Sequence, residues 1–155
     1  MKNLCVCFTG HRVIAADRAP VTASRLYDTL KELIGEGFSE FAAGGALGFD
    51  TLAARVVLAL KKEFPNIVLR LILPCPDQTR GWRSGDVAVY RSILAEADEV
   101  IYTAEEYSAG CMHVRNRRLV DESSVCVCYL TSEQGGTAYT VRYARENGLR
   151  IINLA

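Results

Sequence analysis

Two glycine-rich stretches contain the residues whose types and spacing best suit the binding of an anion. The first reads GGALGFD, in which Gly44, Gly45 and Gly48 precede Asp50. Glycines permit close approach of a backbone, and a helix that starts there offers free N–H groups and partial positive charge to an anion. The alternative is an ordinary strand-to-helix turn in which Asp50 is an acidic residue at the helix start. The glycine pattern alone leaves both interpretations open.

The second stretch, QGGTAYT, places small residues at another helix start. Gly135 and Gly136 supply backbone N–H groups, and Thr137 is placed either to cap the helix or to hydrogen-bond a phosphate. Thr140 lies one position beyond the first helical turn and is a further candidate for the same cleft. Two such turns that face one cleft would hold a phosphate and a sugar together, whereas the alternative is a pair of independent helix caps.

The segment TGHR adds Gly10, His11 and Arg12 at the end of the first apolar run. An arginine at a strand end can clamp a phosphate or a carboxylate through two parallel hydrogen bonds, and an anion site needs a cation. His11 is either a general acid or base or, more commonly for a lone histidine, a structural hydrogen-bonding residue. Asp50 and His11 are therefore the two candidate catalytic residues.

Two other segments contribute polar and aromatic side chains. PCPDQTRGW brings Gln78 and Trp82, and the indole of Trp82 either stacks on a base or ring or covers the edge of the core. Arg115 and Asn116 stand in a basic stretch, where they either meet a phosphate or an acidic partner or lie on a solvated helix face. Cys111 is expected to be a thiol in a loop.

Charge and hydropathy exclude several classes of protein. The chain of 155 residues has 18 Lys and Arg against 18 Asp and Glu, a balance that argues against a dedicated binder of duplex nucleic acid. No apolar run approaches the ~20 residues that a membrane span needs. The apolar stretch near the N-terminus is too short for a signal peptide, so we expect a cytoplasmic protein without a membrane partner.

Four of the six cysteines occur as Cys-x-Cys pairs within LCVCF and SVCVCYL. Residues two apart in a strand point to the same face, so each pair is expected to act as small buried hydrophobic residues. Zinc sites usually place Cys-x2-Cys on a turn, a spacing that these pairs lack. We therefore expect neither a metal nor a cofactor.

Strand-like and helix-like segments alternate along the chain. Apolar runs predict strands at 4–9, 38–43, 66–74, 98–103, 124–131 and 149–155, and helical periodicity predicts helices at 22–37, 46–64, 83–97, 112–123 and 137–147. Several strands are continuously apolar, as expected where helices cover both faces of a parallel sheet. The pattern predicts a single doubly wound α/β domain over residues 1–155, Rossmann-like, with a mostly parallel sheet of about six strands. The candidate turns then all lie at carboxyl ends of strands, where such sheets bind ligands.

The stretches AGGALGFDTLAARVVL and GGTAYTVRYA resemble the paired motifs of the DprA-like Rossmann domain. With FTGHR, LPCPDQTRGW, YSAGCMHVRNRRLVDESSVCVCY and GLRIINL, nearly the whole chain resembles the small YpsA-type proteins of the SLOG superfamily. The resemblance implies a Rossmann-like fold that binds a nucleotide or nucleotide-derived molecule, as a sensor, a regulatory module or a processing enzyme. Carried over by position, the pocket would use Gly10, His11, Arg12, Gly44, Gly45, Gly48, Asp50, Gln78, Trp82, Arg115, Asn116, Gly135, Gly136, Thr137 and Thr140.

Two branches of the same superfamily imply alternatives. LOG-type phosphoribohydrolases carry a Pro-Gly-Gly-x-Gly-Thr-x-x-Glu motif. This chain has Gln134 at the proline when it is aligned on the double glycine, and Thr140 at the glutamate when it is aligned instead on Gly-Thr, so the motif carboxylate is missing. An N-glycosidic or phosphate-bond hydrolase would then need Asp50 or His11 as its acid–base group. DprA proteins load a recombinase onto single-stranded DNA, but this chain lacks an obvious aromatic and basic strand-binding run, so nucleic acid is the less favoured partner. A homodimer is compatible with the fold.

Overall fold

The computed structural model describes residues 4–155, which form one six-stranded sheet and five helices in strict alternation. Met1, Lys2 and Asn3, part of the predicted domain, lie outside the described residues. The elements are β1 (Cys5–Gly10), α1 (Ala19–Gly35), β2 (Glu40–Ala43), α2 (Phe49–Lys61), β3 (Val68–Leu73), α3 (Ser84–Glu96), β4 (Glu99–Tyr102), α4 (Cys111–Asp121), β5 (Val125–Tyr129), α5 (Gly136–Glu146) and β6 (Arg150–Asn153).

The strand order is β4-β3-β2-β1-β5-β6, and every strand pairs with its neighbours in parallel. From β1 the chain adds β2, β3 and β4 on one side, then returns to place β5 and β6 on the other. The direction of winding therefore reverses between β1 and β5, which is the point where doubly wound sheets form a ligand crevice. The prediction of a parallel, Rossmann-like sheet of about six strands is confirmed.

Helices cover both faces of the sheet, because successive side chains of each strand point to opposite sides. Val6 and Phe8 of β1 belong to a buried cluster with residues of α1, α2 and α3. Cys5 and Cys7 of the same strand belong to a second cluster, with residues of α4 and α5. The central strands are thus apolar on both faces, which explains their unbroken hydrophobic sequences.

The cysteines are free thiols, and all six are buried. Cys7 pairs with Cys126 across the β1–β5 ladder, so the two Cys-x-Cys segments meet beneath α4 and α5. Burial raises the pKa of the Cys5 thiol to about 11, which keeps it neutral. The four thiols of the Cys-x-Cys pairs fill the core as small apolar groups, as predicted. Residues 4–155 contain no cluster of three or more His, Cys, Asp or Glu side chains placed to hold a metal ion.

Some helix boundaries differ from those predicted. α1 begins at Ala19 rather than at residue 22, because Pro20 suits the first turn of a helix. α2 begins at Phe49 rather than at residue 46, since Gly48 has φ +77° and interrupts helical geometry. Cys111 was expected in a loop but is the first residue of α4 and is buried. None of the helices between residues 4 and 155 combines the length and apolar character needed to cross a bilayer.

Candidate functional site

A cavity of about 570 Å³, here called the main cavity, opens at the carboxyl ends of β1, β2 and β5. It therefore lies at the reversal of strand order, where open α/β sheets bind their ligands. Its walls come from the three turns that follow these strands and from the first turns of α4. The lining residues are Thr9, Gly10, His11, Arg12, Ala46, Asp50, Met112, His113, Arg115, Asn116, Gln134, Gly135, Gly136 and Thr137.

The turn before α5 is open toward the main cavity. Gly135 is its N-cap, with φ +96°, and no side chain caps the helix. Within the described chain, a Cβ atom added at Gly135 or Gly136 would meet no heavy atom within 4 Å. The Tyr139 N–H donates to the Gly135 carbonyl at 3.0 Å, so the earlier N–H groups of Gly136 and Thr137 have no intrahelical acceptor. This turn therefore presents free donors and the positive end of a helix dipole.

The glycines of the turn before α2 allow close contacts within the protein itself. A Cβ at Gly44 would stand 2.7 Å from Nη1 of Arg115 and 2.9 Å from Oδ2 of Asp50. A Cβ at Gly48, which has φ +77°, would overlap the carbonyl group of Arg12. Gly45 also has a positive φ, and a Cβ there would collide with Leu73. These glycines let neighbouring segments of the protein approach, and none of the three lines the main cavity.

The N-terminus of α2 is likewise bonded within the fold. The Phe49 N–H donates to the carbonyl of His11 at 3.1 Å. The Ala46 N–H donates to Oδ2 of Asp50 at 3.3 Å. Gly10 completes this junction, because a Cβ there would stand 2.5 Å from the Phe49 side chain. The loop after β1 therefore closes over the start of α2.

Asp50 is the buried carboxyl group of the main cavity, with 6% of its surface exposed. Burial raises the pKa of its carboxyl group to about 6, and Arg115, the Ala46 N–H and Arg12 oppose that rise. The pKa of this group is therefore closer to neutral pH than that of an ordinary carboxyl group. This property suits either a hydrogen-bonding partner for a ligand or a general acid–base group.

Arg115 is a buried cation with 4% of its surface exposed. Its Nη1 donates to the Gly44 carbonyl, and its Nε donates to Oδ1 of Asn116 at 2.7 Å. Burial lowers the pKa of the guanidinium, while Asp50 favours its charged form. These contacts hold Arg115 between α4 and the turn after β2, where it provides a fixed positive charge. The amide nitrogen of Asn116 stays available to the cavity, because it is the oxygen that accepts from Arg115.

His11 and Arg12 follow β1 but differ in their contacts. Nε2 of His11 accepts a hydrogen bond from the Thr131 N–H at 2.9 Å. The His11 backbone N–H also donates to the Tyr129 carbonyl at 3.3 Å. His11 therefore joins the loops after β1 and β5, which agrees with the structural alternative for this residue. The Arg12 side chain is exposed and lines the main cavity.

Gln78 and Trp82 lie outside the main cavity. They line a smaller cavity of about 280 Å³, here called the side cavity, which shares Arg12 and Met112 with the main one. Trp82 is half-buried and packs edge-on against Tyr90, with ring centroids 5.5 Å apart. The indole thus both covers the edge of the core and faces a cavity. The side cavity is lined by Arg12, Asp77, Gln78, Arg80, Trp82, Tyr107 and Met112.

Thr140 is also separate from the main cavity. It is buried, and its hydroxyl donates to the Gly136 carbonyl at 2.9 Å within α5. The structure thus brings together only some of the predicted binding residues. Those that line the main cavity are Gly10, His11, Arg12, Asp50, Arg115, Asn116, Gly135, Gly136 and Thr137.

Sequence reasoning omitted other lining residues of the main cavity. Met112 lies three positions before Arg115, and His113 lies three before Asn116, so helical spacing could have placed each pair on one face. His113 also packs against Tyr139 of α5, with ring centroids 4.5 Å apart. The remaining omissions lie within the quoted motifs TGHR, GGALGFD and QGGTAYT and are Thr9, Ala46 and Gln134.

Comparison with known proteins identifies the family. The model of the YspA SLOG family matches residues 9–150. The chain is 30% identical over 138 residues to the SPbeta prophage-derived protein YoqJ of Bacillus subtilis, and the match covers 81% of each chain. The predicted membership of the YpsA-type SLOG proteins is confirmed.

Solved structures show the same fold at lower sequence identity. DNA processing protein A from Helicobacter pylori, described for its single-stranded DNA binding mode, has a TM-score of 0.72 and 19% identity over 98% of this chain. DNA processing protein A (DprA) from Streptococcus pneumoniae has a TM-score of 0.68 and 14% identity over 99% of this chain. This chain spans only 65% and 50% of those two chains, respectively. By its sequence, the chain belongs to the YspA SLOG family.

Proposed function

We propose that this protein binds a nucleotide or a nucleotide-derived small molecule in the main cavity, and that it acts as a sensor or regulatory module, with residues 1–155 forming one domain. The observation that carries the proposal is the open turn before α5. Its free N–H groups face a cavity that also contains Arg12 and Arg115. Free donors, a helix dipole and two cations at one place favour a phosphate group.

The phosphate is assigned to the N-terminus of α5. The N–H groups of Gly136 and Thr137 would donate to its oxygens, and the Thr137 hydroxyl lies in the same turn. Arg12 is exposed and lines the same cavity, so its guanidinium is free to form paired hydrogen bonds with phosphate oxygens. Arg115 is already bonded to Gly44 and would contribute mainly its charge.

The sugar is assigned to the floor of the main cavity. An ionised Asp50 accepts hydrogen bonds and would take them from ribose hydroxyl groups. The amide nitrogen of Asn116 donates and would contact a ring or hydroxyl oxygen, since the Asn116 oxygen is bonded to Arg115. This division gives the anionic and the hydroxyl-bearing parts of a nucleotide separate sets of partners.

A substitution at Gly136 tests the phosphate assignment. Gly136 is the first residue of α5, where proline is tolerated, and Gly135 before it has an extended ψ of −176°. Gly136→Pro removes one N–H donor, whereas Gly136→Ala keeps it and adds a methyl group in open space. By calorimetry, we expect Gly136→Pro to weaken binding of ribose 5-phosphate at least about tenfold, because hydrogen bonds to charged groups contribute about 1.5–3 kcal/mol.

The matched variant Gly136→Ala also adds a side-chain carbon beside the cavity but keeps the donor, so it should retain more affinity than Gly136→Pro. Equal affinities of wild type and Gly136→Pro would contradict the phosphate assignment. A thermal-shift series with ribose 5-phosphate, nucleoside monophosphates and dinucleotides tests the wider proposal, because a bound ligand raises the melting temperature with its concentration. If none of these compounds stabilises the protein, the proposed function is wrong.

Hydrolysis of an N-glycosidic or phosphate bond is the second candidate function. The observation in its favour is Asp50, a cavity carboxyl group whose pKa burial raises to about 6. A group of this kind can protonate a leaving base or activate a water molecule. Incubation with nucleoside monophosphates should then release free base or phosphate, and Asp50→Asn should abolish the release. No release by the wild type would exclude this function for the compounds tested.

Single-stranded DNA is a third candidate ligand, because the H. pylori protein with this fold is described as binding it. Binding through phosphates would make the logarithm of the association constant fall linearly with the logarithm of the salt concentration. A slope near zero in a titration with an oligonucleotide would exclude such contacts. A steep slope that Arg12→Gln reduces would instead place the strand in the main cavity.

A further inference from the structure

The side cavity has the shape and the lining of a site for a planar ring. Its volume is about 280 Å³, and it adjoins the main cavity through Arg12 and Met112, which line both. A molecule bound in the main cavity could therefore extend into the side cavity without leaving the protein surface. The two cavities are therefore neighbours, one with a polar lining and one with an aromatic lining.

The aromatic part has two ring-bearing residues. Trp82 is held edge-on against Tyr90, at an interplanar angle of 85°, so its indole has a defined orientation. Tyr107 is 59% exposed, which makes it one of the large side chains that the fold leaves uncovered. Met112 lines the same cavity, and its polarizable, flexible side chain can adapt to the shape of a ring. Such walls favour a flat heteroaromatic group, which would bury its faces against them.

Gln78 provides an unused acceptor at this site. The residue is 7% exposed, and its Nε2 donates to the Gly45 carbonyl and to the Tyr90 hydroxyl, each at 3.4 Å. Because the Gly45 carbonyl can only accept, the amide nitrogen must face it. The amide oxygen Oε1 is consequently buried and, among the residues that the structure describes, has no hydrogen-bond partner.

An unpaired buried acceptor is unfavourable, and a donor from a ligand would remove that penalty. Both bonds from Nε2 are near the upper limit of length for N–H···O contacts, so they hold the amide weakly. Rotation of the amide would bring Oε1 to the surface of the side cavity, which Gln78 lines. The preferred ligand group is therefore a ring that carries an N–H donor.

We propose that the side cavity holds the heteroaromatic ring of the ligand, and that Gln78 selects rings with an exocyclic amino group. The inference rests on the proposed function, since the phosphate and sugar of the same molecule would occupy the main cavity. Arg12 lies where the two cavities join and would contact the ligand between its phosphate and its ring. Gln78 is thus a specificity-determining residue, and Trp82 and Tyr107 are the ring-binding residues.

Three compounds separate the parts of the ligand: ribose 5-phosphate, AMP, and purine riboside 5′-monophosphate, which lacks only the amino group of AMP. By calorimetry, wild type should bind AMP at least about tenfold more tightly than ribose 5-phosphate, because the ring adds buried contacts. It should also bind AMP about tenfold more tightly than the purine compound, because a site with a buried polar group rejects an analogue that leaves the group unpaired.

Gln78→Met preserves side-chain length and removes the acceptor. The preference for AMP over the purine compound should fall below about twofold, while affinity for ribose 5-phosphate is unchanged. Tyr107→Ala changes an exposed side chain and serves as the second variant if Gln78→Met does not fold. This variant should bind both ring-bearing compounds several-fold more weakly, and its affinity for ribose 5-phosphate should be unchanged.

The outcomes distinguish this inference from the proposed function. If ribose 5-phosphate binds and AMP binds no more tightly, the ring site is wrong while the phosphate site stands. If Gln78→Met keeps the full preference for AMP, the role of Gln78 is wrong. If wild type binds none of the three compounds, the proposed function fails, and the inference fails with it.

Discussion

The turn before α2 contains Gly44, Gly45 and Gly48, and the turn before α5 contains Gly135 and Gly136. Both turns follow strands that neighbour β1, and both precede helices that lack a side-chain cap. Around the first turn, added Cβ atoms would collide with the protein, whereas around the second they would enter open space. Glycine in a strand-to-helix turn therefore indicates close approach of some group, but the group can be the protein or a ligand.

The loop after β1 accounts for the difference. The carbonyl of His11 accepts from the Phe49 N–H, and the backbone of Arg12 lies against Gly48, so this loop covers the start of α2. At α5 the same loop makes a different contact, because the His11 side chain accepts from the Thr131 N–H upstream of the turn. One helix end is thus closed by backbone, and the other is open.

The largest expected effect comes from alanine at Gly48, compared with alanine at Gly135. Both positions have positive φ, so both variants suffer about 1–2 kcal/mol of backbone strain. Only at Gly48 would the Cβ also overlap the Arg12 carbonyl, which adds about 1–3 kcal/mol. Urea unfolding should therefore show that Gly48→Ala loses roughly twice as much free energy of unfolding as Gly135→Ala. Equal losses would refute the distinction between a closed and an open turn.

The second effect concerns Asp50, the acidic residue of the closed turn. Burial raises the pKa of Asp50 from 3.8 to about 6, so between these values the folded state binds more protons than the unfolded state. The free energy of unfolding therefore falls as the pH rises through this window, by roughly 3 kcal/mol in total at 1.36 kcal/mol per pH unit.

Asp50→Asn removes this titration. The difference in free energy of unfolding between the variant and wild type should therefore shift in favour of the variant as the pH rises from about 4 to about 6. Urea titrations at several pH values provide the measurement, and Asp86→Asn on an exposed part of α3 is the control. Parallel pH dependence in wild type and Asp50→Asn would show that Asp50 is not the buried titrating group.

The smallest effect is expected within α5 itself, at two threonines. Thr140→Val removes a hydroxyl that donates to the Gly136 carbonyl, so we expect a loss of about 1 kcal/mol or less in stability and less than a twofold change in affinity for AMP. Thr137 lines the main cavity, and Thr137→Val should lower the affinity for AMP about threefold to tenfold. Calorimetry on both variants provides the measurement. A larger loss of affinity in Thr140→Val than in Thr137→Val would reverse the assignment of these two side chains.

Local patterns predicted most of the fold. Apolar runs indicated six strands, and helical periodicity indicated five helices, because these signals depend on neighbouring residues along the chain. The predicted helix boundaries were less accurate where the φ angle of a single residue sets the start of the helix, as Gly48 does for α2. The strand order was not predictable in the same way, since alternation alone does not specify on which side of β1 each later strand is placed.

The sequence by itself determined the elements, the apolar faces and the presence of polar turns at the carboxyl ends of the strands. It also determined the family, because the sequence matches the family model over residues 9–150. Only the tertiary structure decided which glycine turn is open, because the loop after β1 covers one helix start and not the other. Contacts such as that of Arg115 with Gly44, 71 positions apart, depend on packing between distant segments, and no local pattern in the chain encodes them.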